Sequence, residues 1–345
     1  MQLYKFKKIL LYIFCIHIVL LSNITADSSV EGGANIFMYH RFDEPKYPST
    51  NINTNELEKH LLYLIDNKFN ISSIDEILDK KKSQKKFLPK TVAFTVDDAF
   101  LSFFNNGWPV FKKYNVDVTL FVSTDVVNEE HWNYMSWDQL RQFIKEGGTV
   151  GLHSASHGHL PMYDILSTKN DLIKSMQLIK KELNVAPTIF AYPYGEASND
   201  IIELLKNLGI KFAFGQHSGI IHHDTNAYYM PRFALNENYG KLERFIFSAN
   251  AKPLMVSNFS PNKIFLTDDK QPEIRFDILS NISANQLNCF DNSGGNWKDS
   301  KVDIDKNKHV TLRLKNSFLS GRGRINCTAR YNSEWLWFGY QFTIE

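Results

Sequence analysis

A chain of 345 residues with 43% hydrophobic and 22% charged residues has the composition of a globular protein with a real core, long enough for one large domain or two. Its 39 basic residues stand against 37 acidic ones, and a net charge of +2 argues against a nucleic-acid protein, whose binding face would show in the total. The lysine cluster at Lys80, Lys81, Lys82, Lys85 and Lys86 reads as a solvated loop rather than a phosphate site.

In chain order, residues 1–26 read as a secretory signal. Lys5, Lys7 and Lys8 precede an apolar run from Ile9 to Leu21, and a polar exit from Ser22 puts cleavage after Ala26. Ile24 is a weak fit at the third position before that cut. The apolar run is short for a bilayer, so no stable membrane span is expected after cleavage; an uncleaved anchor is the alternative. Cys15 lies in the apolar core without a small residue just before it, which argues against a lipoprotein. The chain is therefore expected to be exported: periplasmic, bound to the envelope or secreted. In such a setting a disulfide is the default for the two remaining cysteines, Cys289 and Cys327, with a pair of buried thiols as the other reading.

From residue 34 strand and helix patterns alternate. Ala34 to His40 reads as a first strand. Asn53 to Asn67 carries Leu57, Leu61, Leu64 and Ile65 at helical spacing, with Thr54 as candidate cap, and Ile74 to Leu78 is a short helix. Thr91 to Asp98 is a β-branched apolar run that ends in two carboxylates, the pattern of a buried strand with an acidic end. Helix at Gly107 to Tyr114, strand at Val116 to Ser123, helix from Ser136 to the Gly147-Gly148 stop and strand at Thr149 to Leu152 follow. Then come a helix at Asp171 to Leu183, a strand at Ile189 to Tyr192, a helix at Ile201 to Leu208 and a strand at Phe212 to Gly215. This alternation predicts an α/β domain over residues 27–250 with a mainly parallel sheet or barrel, whose working residues sit at the carboxyl ends of strands. Beyond residue 250 the texture changes to short strands separated by turns: Ile274 to Leu279, Val302 to Ile304, Val310 to Leu314, Arg324 to Thr328 and Trp335 to Ile344. Residues 251–345 are expected to form a small all-β sandwich-like accessory domain. Trp297, Trp335 and Trp337 there are candidates for stacking on sugar rings, although core packing explains such aromatics more often.

Asp97, Asp98, His153, Tyr194 and His217 all fall at or just after strand ends. Two carboxylates at the end of a buried strand need compensation. His153-Ser154-Ala155-Ser156-His157 supplies two imidazoles at a spacing that shares a face on a helical turn. With Asp98 they make a two-histidine, one-carboxylate set for a divalent metal that leaves positions open for water and substrate. Asp97, not needed as a ligand, is then placed to take a proton from water. His159, close by, reads as a loop hydrogen-bonder.

These motifs resemble those of the polysaccharide deacetylases, carbohydrate esterase family 4, which share the NodB homology domain. The family's T-F-D-D is met by Thr95-Val96-Asp97-Asp98, with Val96 in place of the aromatic. Its H-S/T-x-x-H is met in full by His153 to His157, and its R-x-P-F/Y in part by Ala191-Tyr192-Pro193-Tyr194. The resemblance covers roughly residues 34–235. It implies a distorted (β/α) barrel, Asp97 as general base, and a metal, usually zinc, on Asp98, His153 and His157. Tyr194 would line the oxyanion site through its backbone N–H. The motif-three Arg is replaced by Ala191, and Arg232 is the candidate substitute to hold Asp97. The family's late leucine-x-histidine, source of the general acid, has no clean match; His217 is the nearest candidate. His40, after the first strand, is expected to line the site or pack there. The function implied is metal-dependent removal of N-acetyl groups from a polysaccharide of N-acetylhexosamine. An O-acetyl polysaccharide esterase and a degenerate carbohydrate-binding or assembly protein are the alternatives, and oligomeric state is not legible.

Overall fold

The computed structural model describes residues 32–345, so the signal assigned to residues 1–26 lies outside the described residues. Seven strands define the main sheet: β1 (Ala34–Tyr39), β2 (Thr91–Asp97), β3 (Val118–Val122), β4 (Thr149–Leu152), β5 (Ile189–Ala191), β6 (Phe212–Phe214) and β7 (Phe233–Ala234). All their pairings are parallel, in the order β7-β1-β2-β3-β4-β5-β6, and a two-residue strand, Asn70–Ile71, pairs with the start of β2. β1 and β2 are buried along their whole length, as continuous apolar runs covered on both faces must be. The sheet curls into an open barrel. At its seam β6 and β7 are joined only through the segment between them, where Phe214 bridges to Met230.

The helices that cover the sheet are α1 (Thr54–Asp66), α2 (Ile74–Lys82), α3 (Trp108–Lys113), α4 (Thr124–Asn128), α5 (Trp137–Lys145), α6 (Ile165–Leu183), α7 (Asn199–Asn207) and α8 (Leu242–Asn250). Side-chain caps set several starts: Asn53 for α1 rather than Thr54, Ser73 for α2, and a Ser136–Gln139 capping box for α5. Asp164 caps α6, which therefore begins at Ile165 and not at Asp171. Its exposed Ile165 and Leu166 hide that first turn from an amphipathic pattern. α4, α8 and β7 were not read from the sequence; two are only two and five residues long. The segment 153–157 is a loop, not a helical turn.

The C-terminal β-rich region has strands β8 (Lys252–Pro253), β9 (Val256–Ser260), β10 (Phe265–Leu266), β11 (Glu273–Ile278), β12 (Leu287–Asp291), β13 (Lys298–Asp299), β14 (Lys301–Ile304), β15 (His309–Arg313), β16 (Gly321–Tyr331) and β17 (Glu334–Ile344). They form one sheet in the order β8-β17-β16-β12-β13, with β10 also on β17, and a second in the order β9-β11-β15-β14. These enclose their own core around Phe276, Leu312, Ile325 and Phe342. The expected disulfide is present: Cys289 on β12 and Cys327 on β16 are direct cross-strand partners and are bonded. Of the three tryptophans, Trp337 packs edge-on against Phe233 of the barrel at 5.2 Å, while Trp297 and Trp335 keep part of their surface in solvent. β17 lies over the barrel seam. Ala197 and Thr343 exchange two hydrogen bonds of 2.9 Å, and the Tyr229 hydroxyl donates to the carbonyls of Gly195 and Gln341. No helix among the described residues is long and apolar enough to cross a membrane.

Candidate metal centre

β2 delivers Asp97 and Asp98 to the carboxyl end of the barrel, and their surroundings then diverge. Asp97 keeps the strand conformation and is fully buried. Arg232, itself 0% exposed, grips it with two parallel hydrogen bonds, Nη1 to Oδ1 at 2.7 Å and Nη2 to Oδ2 at 2.8 Å. The guanidinium is held in turn: Nη1 also donates to Thr95 Oγ1 and Nε donates to the Gly215 carbonyl. Burial pushes the Asp97 carboxyl up, but Arg232, ahead of His153, outweighs that and holds it below the usual aspartate range. Asp98 leaves the strand with φ +79°, and its N–H donates to the Phe121 carbonyl at 2.9 Å. That turn aims its carboxylate sideways, toward the loop after β4.

His153 and His157 come from that loop. His153 Nδ1 lies 2.7 Å from the Ala191 carbonyl and must donate to it. The tautomer is thereby fixed with a bare lone pair on Nε2, which sits 3.2 Å from Asp98 Oδ1. His157 Nε2 lies 3.0 Å from the same oxygen, and its Nδ1 is 3.2 Å from the Tyr194 hydroxyl. Neither Asp98 Oδ1 nor His153 Nε2 has a hydrogen-bond partner, although both are buried. Two unpaired acceptors facing one another in a dry site are costly unless a cation joins them. The three ligand atoms lie within 4.8 Å of one another, and two imidazoles with one carboxylate are a donor set that fits a divalent metal. Burial opposes ionisation of Asp98; where the imidazoles of His153 and then His157 carry a proton on Nε2, those contacts hold it well below the ordinary range.

The loop is shaped by strained backbone. Asp98, Ala99, Ser154, His157 and Tyr194 are non-glycine residues in the left-handed region, each at a cost of roughly 1–2 kcal/mol. Asp171 offsets part of it. Its two carboxylate oxygens accept from the N–H groups of Ala155 and Ser156 at 2.8 and 2.9 Å, from the first half of α6. Ser123 and Ser175 donate to the carbonyls of His153 and Ser154. None of these three supports carried a sequence signal, because each is an ordinary polar residue of a strand end or helix.

His40 follows β1, and the β1–β2 register pairs Tyr39 with Val96, so His40 is set beside Asp97 at the same rim. Burial lowers its pKa, and the charges of Asp98 and Asp97 act on it in the opposite sense. Tyr194 brings its ring edge-on to His157 at 4.7 Å and stacks on His159 at 4.3 Å; His159 in turn pairs with the buried Glu196. Tyr134 also faces the centre: burial, then the charge of Asp98, raises its phenol. His217 is placed differently. Its backbone carbonyl accepts from Arg232 N–H, but its ring packs on Tyr229 at 4.6 Å and toward Tyr340. Burial, then the Arg232 charge, lowers it to about 3, and neither Asp97 nor Asp98 acts on it.

A family model described as polysaccharide deacetylase matches residues 84–213. A poly-β-1,6-N-acetyl-D-glucosamine N-deacetylase of Staphylococcus aureus is 25% identical over 216 residues, which cover 59% of this chain and 74% of the relative. Among solved structures, the deacetylase PplD of Streptococcus pyogenes in complex with acetate has a TM-score of 0.59 at 20% identity, covering 64% of this chain and 99% of that one. IcaB from Ammonifex degensii has a TM-score of 0.56 at 23% identity, covering 64% of this chain and 98% of its own. These two likenesses show the barrel fold, and about a third of this chain lies outside each of them.

Proposed function

We propose, from the match of residues 84–213 to the polysaccharide deacetylase family model, that this chain is an exported, metal-dependent hydrolase that removes N-acetyl groups from a polymer of N-acetylhexosamine. The observation that carries the reading is the pair of buried, partnerless atoms, Asp98 Oδ1 and His153 Nε2, beside an Asp97 that is clamped by Arg232 and left out of the ligand set. The S. aureus relative points to β-1,6-linked N-acetylglucosamine as the first polymer to try. The division of labour follows the sequence boundaries, with catalysis in residues 27–250 and an accessory role for residues 251–345.

Asp98, His153 and His157 hold the cation, for which zinc suits the donor set. Such an ion polarises an acetyl carbonyl and acidifies water. Asp97 takes the proton from the attacking water; Arg232 keeps it ionised and fixes its orientation, the task of the missing motif-three arginine. The left-handed turn at Tyr194 presents its backbone N–H to the oxyanion, and its hydroxyl accepts from His157 Nδ1, which leaves Nε2 free as a ligand. The leaving nitrogen is protonated by His40 rather than by His217. The carboxylates of Asp98 and Asp97 favour the protonated form of His40 against the burial that lowers it, whereas neither acts on His217, which faces the seam. With an acid in reach, an amide substrate is favoured over an ester.

Acetate release from β-1,6-linked N-acetylglucosamine oligomers and from acetylated xylan, with and without chelator, tests this. The expected result is release from the first, abolished by chelator and restored by zinc. Release from xylan alone would replace the N-deacetylase by an O-acetyl esterase, and no release from either by metal-loaded protein would contradict both.

A further inference from the structure

Where β17 crosses the barrel seam, the two β structures leave a cleft of about 230 Å³. Its walls include Tyr229 and His217 from the barrel side and Phe259, Trp337 and Tyr340 from the C-terminal region, with Asn226 at the rim. The rings are close-set: Tyr340 lies 4.4 Å from Phe259 and 6.0 Å from Tyr229. His217 is 5% exposed. Its Nδ1 has no partner, and this edge of the ring lies against Gly215, where an added Cβ would come within 2.7 Å of it. Nε2 is therefore the ring nitrogen that opens to the cleft. The imidazole is neutral at any pH above about 3. An N–H buried against Gly215 would be an unpaired donor, which costs more than a buried lone pair, so the proton belongs on Nε2 as a donor into the cleft.

We propose that this cleft is a saccharide subsite that takes one hexosamine residue of the polymer chain, apart from the metal centre. The inference rests on the polysaccharide reading above. Three features select a sugar. Aromatic faces suit the apolar C–H face of a pyranose, and uncharged donors suit its hydroxyl and amide groups. The Tyr340 hydroxyl, without a hydrogen-bond partner among the described residues, adds a second polar group. An acyl chain would leave both unpaired. The cleft runs from His217, just past the carboxyl end of β6, to Ile220, whose neighbour Ile221 bridges to Ala34 at the amino end of β1, so a chain seated here lies along the barrel seam and not over the metal ligands. The C-terminal region then contributes directly to polymer binding through Phe259, Trp337 and Tyr340, not through the more exposed Trp297 and Trp335.

Calorimetric titration of the full-length Asp97→Asn protein with a β-1,6-linked N-acetylglucosamine tetramer tests the subsite. Two further changes are made separately in that background: His217→Leu, which removes the donor, and Val256→Trp, which fills the mouth from a half-buried lining position. Each should weaken tetramer affinity about tenfold, the scale of one lost stacking or hydrogen-bond contact. Val256→Trp keeps an apolar side chain where the half-buried Val256 packs on the C-terminal core, and its melting temperature guards against misfolding as the cause of weaker binding. No tetramer binding, or affinity unchanged in a Val256→Trp protein whose melting temperature is preserved, would overturn the subsite. Acetate release by the wild type keeps the two readings separate: without release the deacetylase reading fails, whereas release with affinity indifferent to both substitutions removes the subsite alone.

Discussion

Asp97 and Asp98 are adjacent in sequence and opposite in circumstance. One is a fully buried carboxylate whose charge is matched by Arg232; the other is turned by a left-handed backbone toward two imidazoles. The sequence made this division legible, because strand neighbours face opposite ways and an Asp-Asp pair ahead of a His-x-x-x-His leaves one acid over. It also pointed to Arg232, but could not tell a buried clamp from a surface pair, since the contact joins residues 135 positions apart. It named His217 as the candidate acid and His40 as a residue lining the site or packing there; the His217 ring packs on Tyr229 at the seam, while His40 follows β1 at the rim that carries Asp97. The clamp has a measurable consequence. The Asp97 pKa is depressed in the folded state, so the stabilisation from the pair is complete above the ordinary aspartate value of about 3.9 and is lost as pH falls through the lower folded value. In Arg232→Met the carboxylate stays buried without its partner. The variant should lose about 3–5 kcal/mol of stability by urea denaturation, and the acidic limb of its pH–rate profile should move up by about one unit or more. An acidic limb that stays in place would mean that Arg232 does not govern the base.

The elements show where periodicity stops being informative. The four-residue histidine spacing suggested a helical turn, yet residues 153–157 form a loop in which Ser154 and His157 take left-handed backbone. What holds that loop is Asp171, sixteen residues away from Ala155 on α6 and indistinguishable in sequence from any exposed helix residue. Asp171→Ala leaves two N–H groups without a charged acceptor. It should cost about 1.5–3 kcal/mol by thermal or urea unfolding, and should weaken metal binding about 10- to 100-fold as the two ligands lose their relative placement. Full metal affinity in that variant would show that the loop is held by other means. The α/β alternation itself was readable because buried parallel strands and capped amphipathic helices carry their own patterns. β7, two residues long, carries none, and it is known as a strand only from its pairing with β1.

At the scale of the whole molecule, the C-terminal strands were legible as strands, but their relation to the barrel was not. β17 packs over the seam between β6 and β7 and is hydrogen-bonded to the turn that carries Tyr194. Gln341, fully buried, donates to the carbonyls of Tyr194 at 3.2 Å and Gly195 at 2.8 Å. Gly195 itself has φ +68°, and a Cβ there would meet Gln216 N at 2.6 Å, so the turn depends on this close approach. Replacing Gln341 by Leu removes the side-chain donor from the Tyr194 carbonyl and one of two donors from that of Gly195, which keeps the Tyr229 hydroxyl. It should lower stability by about 1–3 kcal/mol and reduce kcat for acetate release more than it changes KM, because the group displaced is the Tyr194 turn and not a substrate contact. An effect confined to KM would place Gln341 in substrate binding instead. The whole account depends on one ion shared by three side chains, with a fourth left to act on water. The zinc content of wild type, Asp97→Asn and Asp98→Ala, measured by elemental analysis after equilibrium dialysis against buffered zinc, tests it most directly. The account predicts close to one ion per chain in the wild type and in Asp97→Asn, the latter without acetate release, and metal lost from Asp98→Ala. Equal zinc in Asp98→Ala and the wild type, or zinc lost from Asp97→Asn, would contradict it.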